Sequence, residues 1–226
     1  MDFLTHNNKF VDKQINAHLD RYNAKDKNII VIGGGDTGSD CIGTCNRHGA
    51  GSVVNFELSH KPGKNRDLSN PWPYWPFTLK TTSSHQEGVS REWSILTKKF
   101  TGDKNNNLIG LETVNVEIDK ITGKLTEIPN TNKTWKCDMV ILALGFTGPD
   151  ESLPNLLDIN MDNRGNISSN SDYQTKKNNI FTAGDCRRGQ SLIVWAISEG
   201  REASYHIDKY LMGKSNLPRK NSYGDL

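Results

Sequence analysis

The stretch Ile29-Ile30-Val31-Ile32-Gly33-Gly34-Gly35-Asp36-Thr37-Gly38 decides the predicted fold. Its β-branched aliphatic residues favour a strand that is buried on both faces. The following segment, Thr37–His48, has the length of a helix and ends before Gly49, a residue type that commonly terminates helices. The sequence therefore predicts a strand, a glycine turn and a helix in direct succession.

The turn matches the pattern Gly-x-Gly-x-x-Gly at Gly33, Gly35 and Gly38, with Gly34 between the first two. In a dinucleotide-binding turn the first glycine permits the bend, the second lets a pyrophosphate approach the backbone, and the third allows close packing of helix on strand. The helix N-terminus offers N–H groups and partial positive charge to the phosphates. A tight turn without a nucleotide is the alternative.

Asp36 and Thr37 lie inside this turn. Their side chains either cap the helix or contact a nucleotide. The residue preferences of helix N-termini favour capping.

A second predicted strand, Ser52–Leu58, carries an acidic residue about 20 residues beyond the turn. This residue is Glu57, and a carboxylate there accepts hydrogen bonds from ribose hydroxyls and repels a 2′-phosphate. The sequence therefore favours NADH over NADPH. Lys61, Lys64 and Arg66 follow in the next loop and offer the opposite charge if the loop folds back.

The composition gives no indication of a nucleic-acid or membrane partner. The 28 basic and 26 acidic residues of the 226-residue chain leave a net charge of +2. Residues Met1–Asp20 lack the apolar core of a secretory signal, and the longest apolar runs are too short to span a bilayer. We expect a cytoplasmic protein.

The four cysteines form no CxxC pair and no metal-ligand spacing. Cys41 and Cys45 lie one helical turn apart, where thiols commonly pack as small buried hydrophobes, with a metal or redox role as the alternative. Cys137 is not assigned a role, and Cys186 is expected to pack. We predict no metal site.

The flanking segments differ in character. Residues 1–27 are polar with apolar residues at loosely helical spacing, and we expect a linker segment that docks on another part of the molecule. Ser59–Gly88 is predicted to be a loop because it contains the proline-rich aromatic stretch Asn70–Phe77. This loop either packs over a sheet edge or gates a substrate.

The middle of the chain predicts an antiparallel meander followed by a parallel strand. Turn-forming residues separate the predicted strands Trp93–Thr101, Leu108–Ile118 and Leu125–Ile128. The apolar run Asp138–Gly145 then favours a buried parallel strand, and its terminal Gly145 marks an exit toward a ligand or another domain. Together, residues 28–148 form the first predicted domain.

Residues 149–226 form the second predicted domain. A short strand over Asn178–Asp185 ends in Gly184 and Asp185, and a helix over Ser191–Met212 follows, with Gly213 placed to end it. Its apolar face is expected to contain Leu192, Trp195, Ala196, Ala203, Ile207, Tyr210 and Leu211. An acid at the end of a strand, beside a helix N-terminus, is typical of a ligand site in a doubly wound sheet.

Several segments together resemble the small subunit of glutamate synthase or the equivalent C-terminal region of its fused forms. They are IGGGDTGSDC, NFEL, NPWPYWP, REWSILTKKFTG, VILALGFTGP and FTAGDCRRGQSLIVWAISEGREA, and the resemblance extends from about Phe3 to Leu211. It implies a flavoprotein in which an NAD(P) domain is inserted into an FAD domain. It also implies electron flow from NAD(P)H to FAD and through iron–sulfur clusters to a large subunit or domain that makes glutamate from glutamine and 2-oxoglutarate.

The resemblance also implies what this chain lacks. The family has an N-terminal cysteine-rich iron–sulfur domain and an earlier glycine turn for the FAD pyrophosphate, and neither occurs in this sequence. We therefore expect a C-terminal fragment with a whole NAD(P) unit and an incomplete FAD site. Iron–sulfur clusters are expected only in the missing N-terminal half or in the partner.

The resemblance assigns flavin roles to residues of the second domain. Gly184 and Asp185 match the family's Gly-Asp pair, whose acid binds a ribityl hydroxyl. The backbone N–H groups of Gln190, Ser191 and Leu192 would face the flavin's pyrimidine edge. Arg187 and Arg188 either add to the positive potential there or form surface ion pairs. Trp195 is expected in the core, and His48 at the end of its helix.

The sequence therefore predicts an α/β fold: a doubly wound, Rossmann-like NAD(P)-binding domain with an antiparallel meander, and part of an FAD-binding domain. No catalytic side chain is expected, because hydride transfer between nicotinamide and flavin is chemistry of the cofactors. The predicted function is the NAD(P)H-oxidising module of glutamate synthase. The alternatives are the same module in a transhydrogenase or pyrimidine reductase, and a non-catalytic nucleotide-binding module.

Overall fold

The computed structural model describes residues 1–66, 68, 70–72, 74, 77–119 and 122–219. These residues divide into two compact units. Unit 1 comprises Met1–Arg66 and Phe77–Gly145, and unit 2 comprises the described residues within Asp67–Pro76 and Phe146–Leu226. The division differs from the predicted boundaries, because residues 1–27 belong to unit 1 and unit 2 includes part of the proline-rich stretch.

Unit 1 contains three α-helices, one short 3₁₀ helix (Asp20–Tyr22) and eight strands among its described residues. The helices are α1 (Asp2–Val11), α2 (Asp36–His48) and α3 (Ser83–Gln86). The strands are β1 (Asn28–Ile32), β2 (Ser52–Glu57), β3 (Ser90–Trp93), β4 (Ile95–Gly102), β5 (Leu108–Ile118), β6 (Leu125–Glu127), β7 (Lys133–Lys136) and β8 (Met139–Leu142). Unit 2 contains α4 (Ser152–Leu156), α5 (Asp185–Arg188) and α6 (Ile193–Met212).

A parallel sheet with the strand order β3-β2-β1-β8 forms the centre of unit 1. In its register Ile29 lies between Val53 of β2 and Met139 of β8. Two of these strands, β1 and β2, form the predicted strand–turn–helix–strand unit together with the glycine turn and α2. The predicted α/β fold with a parallel sheet and an antiparallel meander is confirmed.

The residues of β1 are buried on both faces, as the aliphatic run predicts. Ile29 and Val31 belong to a core with Cys41, Ile42 and Cys45 of α2. Ile30 faces the other way, into a core whose further buried members are Phe56, Ile95, Leu111 and Cys137. The parallel sheet is therefore covered by helices on one face and by the meander on the other.

The meander strands β4, β6 and β7 all pair with β5 in antiparallel register. The predicted strand Leu108–Ile118 coincides with β5. The predicted strand Trp93–Thr101 is wrong at its start, because Trp93 ends the parallel strand β3 and β4 begins only at Ile95. Ser94 between them has φ of +57°, and this backbone turn directs the chain from one sheet to the other.

The end of β8 is more exposed than its apolar sequence predicts. Its described neighbour in the sheet is β1, so β8 is an edge strand. Ile141 is buried, but Leu142 and Leu144 are exposed to 56% and 70%. An apolar run is thus consistent with an edge as well as with a central strand, because composition does not reveal the number of neighbours.

Two further predictions for unit 2 are wrong. The segment Asn178–Asp185 contains only an isolated bridge between Gln174 and Phe181, and Asp185 begins a helix instead of ending a strand. The buried stripe of α6 is largely polar and consists of Ser198, Glu199, Glu202, Ala203 and His206. The expected face is displaced, since Tyr210 and Leu211 are exposed.

The proline-rich stretch lies partly outside the described residues, namely at Pro73, Trp75 and Pro76. The nearby Leu68, Trp72 and Tyr74 have exposed side chains. Within the part of the chain that the structure describes, none of the helices combines the length and hydropathy needed to cross a bilayer.

Candidate functional site

The glycine turn of unit 1 is built from close backbone approaches that only glycine allows. Gly33 has φ of +115°, and a Cβ atom there would lie 2.1 Å from the carbonyl oxygen of Ala143. A Cβ atom on Gly38 would lie 2.2 Å from the carbonyl oxygen of Gly33. Both positions therefore exclude any side chain, and the third glycine brings α2 against the turn as predicted.

Gly35 differs from these two glycines because its missing side chain faces open space. No atom of the described residues, apart from the chain neighbours of Gly35, lies within 4 Å of the position that a Cβ would occupy, and φ is −77°, a value that every residue adopts. Packing thus does not require glycine at this position. A backbone left bare toward solvent is the feature that a pyrophosphate needs for close approach.

The start of α2 has no side-chain cap. Gly35 is the N-cap residue, and in the part of the chain that the structure describes no side chain caps the first turn. The preferred capping role of Asp36 and Thr37 is therefore wrong, because both residues already belong to the helix and lie beyond its N-cap position. The N–H groups of the first turn are left for solvent or an anion.

Glu57, at the end of β2, lies directly over this turn. A Cβ atom on Gly34 would lie 2.1 Å from the carboxylate carbon of Glu57, so the second residue of the turn must also be glycine while Glu57 holds this position. The carboxylate and the uncapped helix start are thus brought together as predicted for a dinucleotide site.

Glu57 has an ionic partner that sequence reasoning missed. Nη2 of Arg91 donates to Oε1 of Glu57 at 2.7 Å, and Nη1 of the same guanidinium donates to the carbonyl oxygen of Lys80 at 2.8 Å. The side chains of Arg91 and Glu57 are only 13% and 16% exposed. Arg91 lies on β3, which pairs with β2, and recognising Ser90–Trp93 as a separate parallel strand would have predicted this approach.

A second missed feature is a hydrogen-bonded group beside the same helix end. Ser39 Oγ and Thr82 Oγ1 are 2.6 Å apart, and the Thr82 N–H donates to Nδ1 of His85 at 3.1 Å. Burial lowers the pKa of His85, and the positive charge of Arg91 lowers it further. His85 is therefore neutral with its proton on Nε2, which has no hydrogen-bond partner among the described residues.

Asn55 ties the turn to the sheet. Its buried side-chain amide donates to the carbonyl oxygens of Val31 and Gly33 at 3.1 and 3.0 Å. The Gly33 N–H in turn donates to the carbonyl oxygen of Phe56 at 2.9 Å. These bonds connect β2 to the glycine turn, and an asparagine inside an otherwise apolar strand was the available sequence signal.

The candidate site of unit 2 centres on a buried carboxylate. Glu199 of α6, only 1% exposed, accepts hydrogen bonds from the Gly184 N–H at 2.9 Å, Arg187 Nη1 at 2.9 Å and Arg188 Nε at 3.0 Å. Arg187 and Arg188 thus form ion pairs, which is one of the two roles predicted for them. Asp185 follows this anchored glycine, begins α5 and is exposed.

The N-terminus of α6 lies two residues later than predicted. Leu192 is the N-cap residue with no side-chain cap, so the free N–H groups of the first turn include those of Ile193 and Val194. Gln190 and Ser191 precede the helix, so they do not present N–H groups of its first turn as predicted. The Gln190 side chain donates instead to the carbonyl oxygen of Phe146 at 3.3 Å. The Gly184 turn packs close to Ala196, in the first turn of α6.

The structure also places the remaining residues that the sequence analysis singled out. Cys41 and Cys45 are buried, which confirms the packing prediction. Gly145 is exposed with φ of +89°. Trp195 is only partly buried, under the guanidinium of Arg188 at 4.3 Å, so its core assignment is wrong. Among the described residues, no three histidine, cysteine or acidic side chains are placed to hold a metal ion.

The structure thus brings the predicted residues together in two groups, one in each unit. Unit 1 groups Gly33, Gly34, Gly35, Asp36, Thr37, Gly38 and Glu57. Unit 2 groups Gly184, Asp185 and the start of α6.

The chain is similar to known proteins over most of its length. It is 44% identical over 229 residues to glutamate synthase (NADH) of Schizosaccharomyces pombe, covering 96% of this chain and 11% of the relative. It is 41% identical over 233 residues to the glutamate synthase (NADPH) small chain of Bacillus subtilis, covering 96% of this chain and 46% of the relative. This chain therefore spans about a tenth of the first and less than half of the second.

Among solved structures, the thioredoxin reductase of T. acidophilum has a similar fold, with a TM-score of 0.55 at 21% identity, covering 86% of this chain and 55% of that one. Residues 2–200 match the family described as pyridine nucleotide-disulphide oxidoreductase. The glutamate synthase resemblance read from the sequence motifs is confirmed by the relatives. By the extent of the family match, this chain belongs to the pyridine nucleotide-disulphide oxidoreductases.

Proposed function

We propose that this chain is the part of a glutamate synthase flavoprotein that oxidises NAD(P)H and passes the electrons to FAD. The observation that carries the proposal is the uncapped start of α2, with Gly35 open to solvent and Glu57 placed over the turn. The similarity to glutamate synthases along 96% of the chain supports the choice of enzyme.

The nicotinamide nucleotide would be held by unit 1. The N–H groups of the first turn of α2 would bind its pyrophosphate, and Gly35 would leave room for that approach. Oε1 of Glu57 is occupied by Arg91, whereas Oε2 accepts no hydrogen bond from the described residues and is left for ribose hydroxyls. This free carboxylate oxygen favours NADH as the cofactor. The relatives do not distinguish the two cofactors, because relatives of similar identity are named for NADH and for NADPH.

FAD would use unit 2. Asp185 would accept a hydrogen bond from the ribityl chain, and the positive end of α6, a helix of 20 residues, would face the flavin ring. Glu199 would hold the Gly184 backbone in place for that contact. When bound, the two cofactors supply the hydride transfer itself, and the protein supplies binding, orientation and electrostatics.

The proposed partners are the glutamate-forming large subunit or domain and the N-terminal half of the flavoprotein. The relatives named small chain are more than twice as long as the part that this chain matches. Unit 2 also exposes apolar side chains, among them Phe146, Leu153, Leu156, Ile193, Val194 and Ile197. Such a surface is typical of a protein interface. Iron–sulfur clusters would be contributed by these partners.

The proposal is tested with the chain alone and then with its partners. Titration with NADH, followed by nucleotide fluorescence, measures binding to unit 1. Addition of the N-terminal half, FAD and the large subunit should then give NADH oxidation that depends on glutamine and 2-oxoglutarate. The Asp185→Asn variant should weaken FAD retention without changing NADH binding.

The other outcomes separate the alternatives. NADH oxidation in the assembled flavoprotein without dependence on glutamine would contradict the glutamate synthase assignment and indicate another electron chain. Nucleotide binding with no flavin spectrum, even in the presence of the N-terminal half and added FAD, would indicate a non-catalytic module. Absence of NADH and NADPH binding would contradict the proposal as a whole.

A further inference from the structure

We propose that Arg91 is a latent binding residue for a ribose 2′-phosphate and that Glu57 keeps it occupied. The preference for NADH then depends on the Glu57–Arg91 ion pair and not on the carboxylate alone. This inference rests on the proposed nucleotide site of unit 1.

The ion pair lies at the glycine turn itself. Glu57 approaches Gly34 so closely that no side chain fits there, and Arg91 Nη2 contacts Glu57 Oε1 at 2.7 Å. The end of β2 after a glycine turn is where an acid meets the ribose 2′-hydroxyl, and where an arginine accommodates a 2′-phosphate in NADP-binding proteins. Here both side chains are present and form an ion pair with each other.

The charge of the Glu57 carboxylate alone does not explain a preference for NADH over NADPH. An unpaired carboxylate would repel a phosphate dianion strongly in a partly buried site. Arg91 offsets that repulsion, because its positive charge lies in direct contact with the Glu57 oxygen. A 2′-phosphate must therefore displace the carboxylate from the guanidinium, and this competition is the barrier against NADPH.

The guanidinium of Arg91 is held in an orientation that suits it to bind an anion. Its Nη1 is held by the Lys80 carbonyl, which orients the guanidinium, while Nε is buried without a hydrogen-bond partner among the described residues. The planar guanidinium is the side-chain group best suited to bidentate phosphate contacts. A 2′-phosphate would therefore take over Nη2 from Glu57 on a guanidinium that is already oriented.

A second cation lies near the same place. The guanidinium carbon of Arg91 is 4.9 Å from the centre of the Trp93 ring, and Nζ of Lys61 is 4.8 Å from it. Two positive side chains thus lie close to the Trp93 ring, and one of them is paired with the carboxylate of Glu57. Removing that carboxylate would leave a site with net positive charge.

The experiment is a double-mutant cycle on the full chain, with dissociation constants for NADH and NADPH measured by nucleotide fluorescence. Glu57→Gln keeps the shape of the side chain but removes the negative charge that pairs with Arg91, and should lower the NADH-to-NADPH preference about tenfold or more, the value of one charge-assisted hydrogen bond. Arg91→Gln should increase the preference for NADH, because Glu57 is then unpaired. The double variant should not show the increase in NADPH affinity that Glu57→Gln alone produces.

The matched control is Glu112→Gln, which removes a carboxylate from the exposed Lys99–Glu112 pair of the meander. It should leave both constants unchanged. If Arg91→Gln does not fold, Arg91→Lys replaces it, and the Glu57→Gln variant should bind NADPH with a steeper salt dependence than NADH.

The outcomes separate this inference from the proposed function. Equal effects of Glu57→Gln in the presence and in the absence of the Arg91→Gln substitution would overturn the role of Arg91 while leaving the nucleotide site intact. No binding of either nucleotide by the unaltered chain would overturn the proposed function, and the inference with it.

Discussion

The carboxylate of Glu199 accepts a hydrogen bond of 2.9 Å from the backbone N–H of Gly184. A buried charge on one helix thereby fixes a glycine with φ of +72°, just before the acid proposed to bind FAD. The same carboxylate forms ion pairs with Arg187 and Arg188. The polar stripe of α6 is buried because its charges are paired, and the pairing positions the turn.

We expect Glu199→Ala to destabilise unit 2 strongly. The substitution leaves the Gly184 N–H and two arginines without their acceptor, and losing one partner of a buried charged group typically costs about 3 kcal/mol. Chemical denaturation followed by circular dichroism measures the loss. Asp158→Asn, which removes an exposed carboxylate paired with two lysines, serves as control and should leave the midpoint unchanged. A Glu199→Ala variant as stable as the control would contradict this role.

Two alanine substitutions in the glycine turn should have different effects. Gly38→Ala forces a Cβ atom to 2.2 Å from a carbonyl oxygen and should cost about 1–3 kcal/mol in stability. Gly35→Ala places its methyl group in open space, so it should lower the melting temperature less than Gly38→Ala, by the cost of alanine at an N-cap alone, while weakening NADH binding. Thermal unfolding and NADH titration of both variants test the pair. Unaltered NADH affinity in Gly35→Ala would contradict the proposed pyrophosphate position.

Stability of the N-terminal segment should depend on pH. His18 and His48 have ring centroids 4.3 Å apart, and burial together with neighbouring positive groups lowers the pKa of both. Neutral His48 accepts a hydrogen bond from the Ala24 N–H through Nδ1 while its other nitrogen contacts Asn7. Protonation of His48 would break the first of these bonds.

The direction follows from the lowered pKa values. The unfolded chain takes up protons at a higher pH than the folded chain, so the stabilisation is complete above the usual histidine pKa of about 6.5 and is lost as pH falls below it. Denaturation midpoints between pH 8 and 5 should therefore decrease below about pH 6.5. The decrease should be smaller in His18→Phe. A constant midpoint in that range would refute the docking role of these histidines.

The buried thiols should resist alkylation in the native protein. Burial raises the pKa of Cys41 to about 11, of Cys45 to about 12 and of Cys137 to about 11, which leaves almost no thiolate at pH 8. Mass spectrometry after iodoacetamide treatment should detect four labelled cysteines in denatured protein and none of these three in native protein. Rapid native labelling of Cys45 would instead support the redox alternative.

Local features of the sequence determined the strand–turn–helix–strand unit of unit 1. The aliphatic run, the glycine spacing and the helix-terminating Gly49 depend on backbone conformation and on burial of adjacent residues, so each is readable within a few turns of chain. Gly49 indeed adopts the left-handed conformation at the end of α2. The same applies to β5, where turn-forming residues before and after the strand define its bounds.

Contacts between distant residues decided the rest. Arg91 meets Glu57 only because β3 pairs with β2, and the polar stripe of α6 is buried only because Glu199 finds Gly184, Arg187 and Arg188. Composition predicts a charged side chain on the surface, since an unpaired charge is costly to bury. A charged side chain is buried where the tertiary structure places an oppositely charged partner beside it. The position of that partner cannot be predicted from the spacing of residues that are close in sequence.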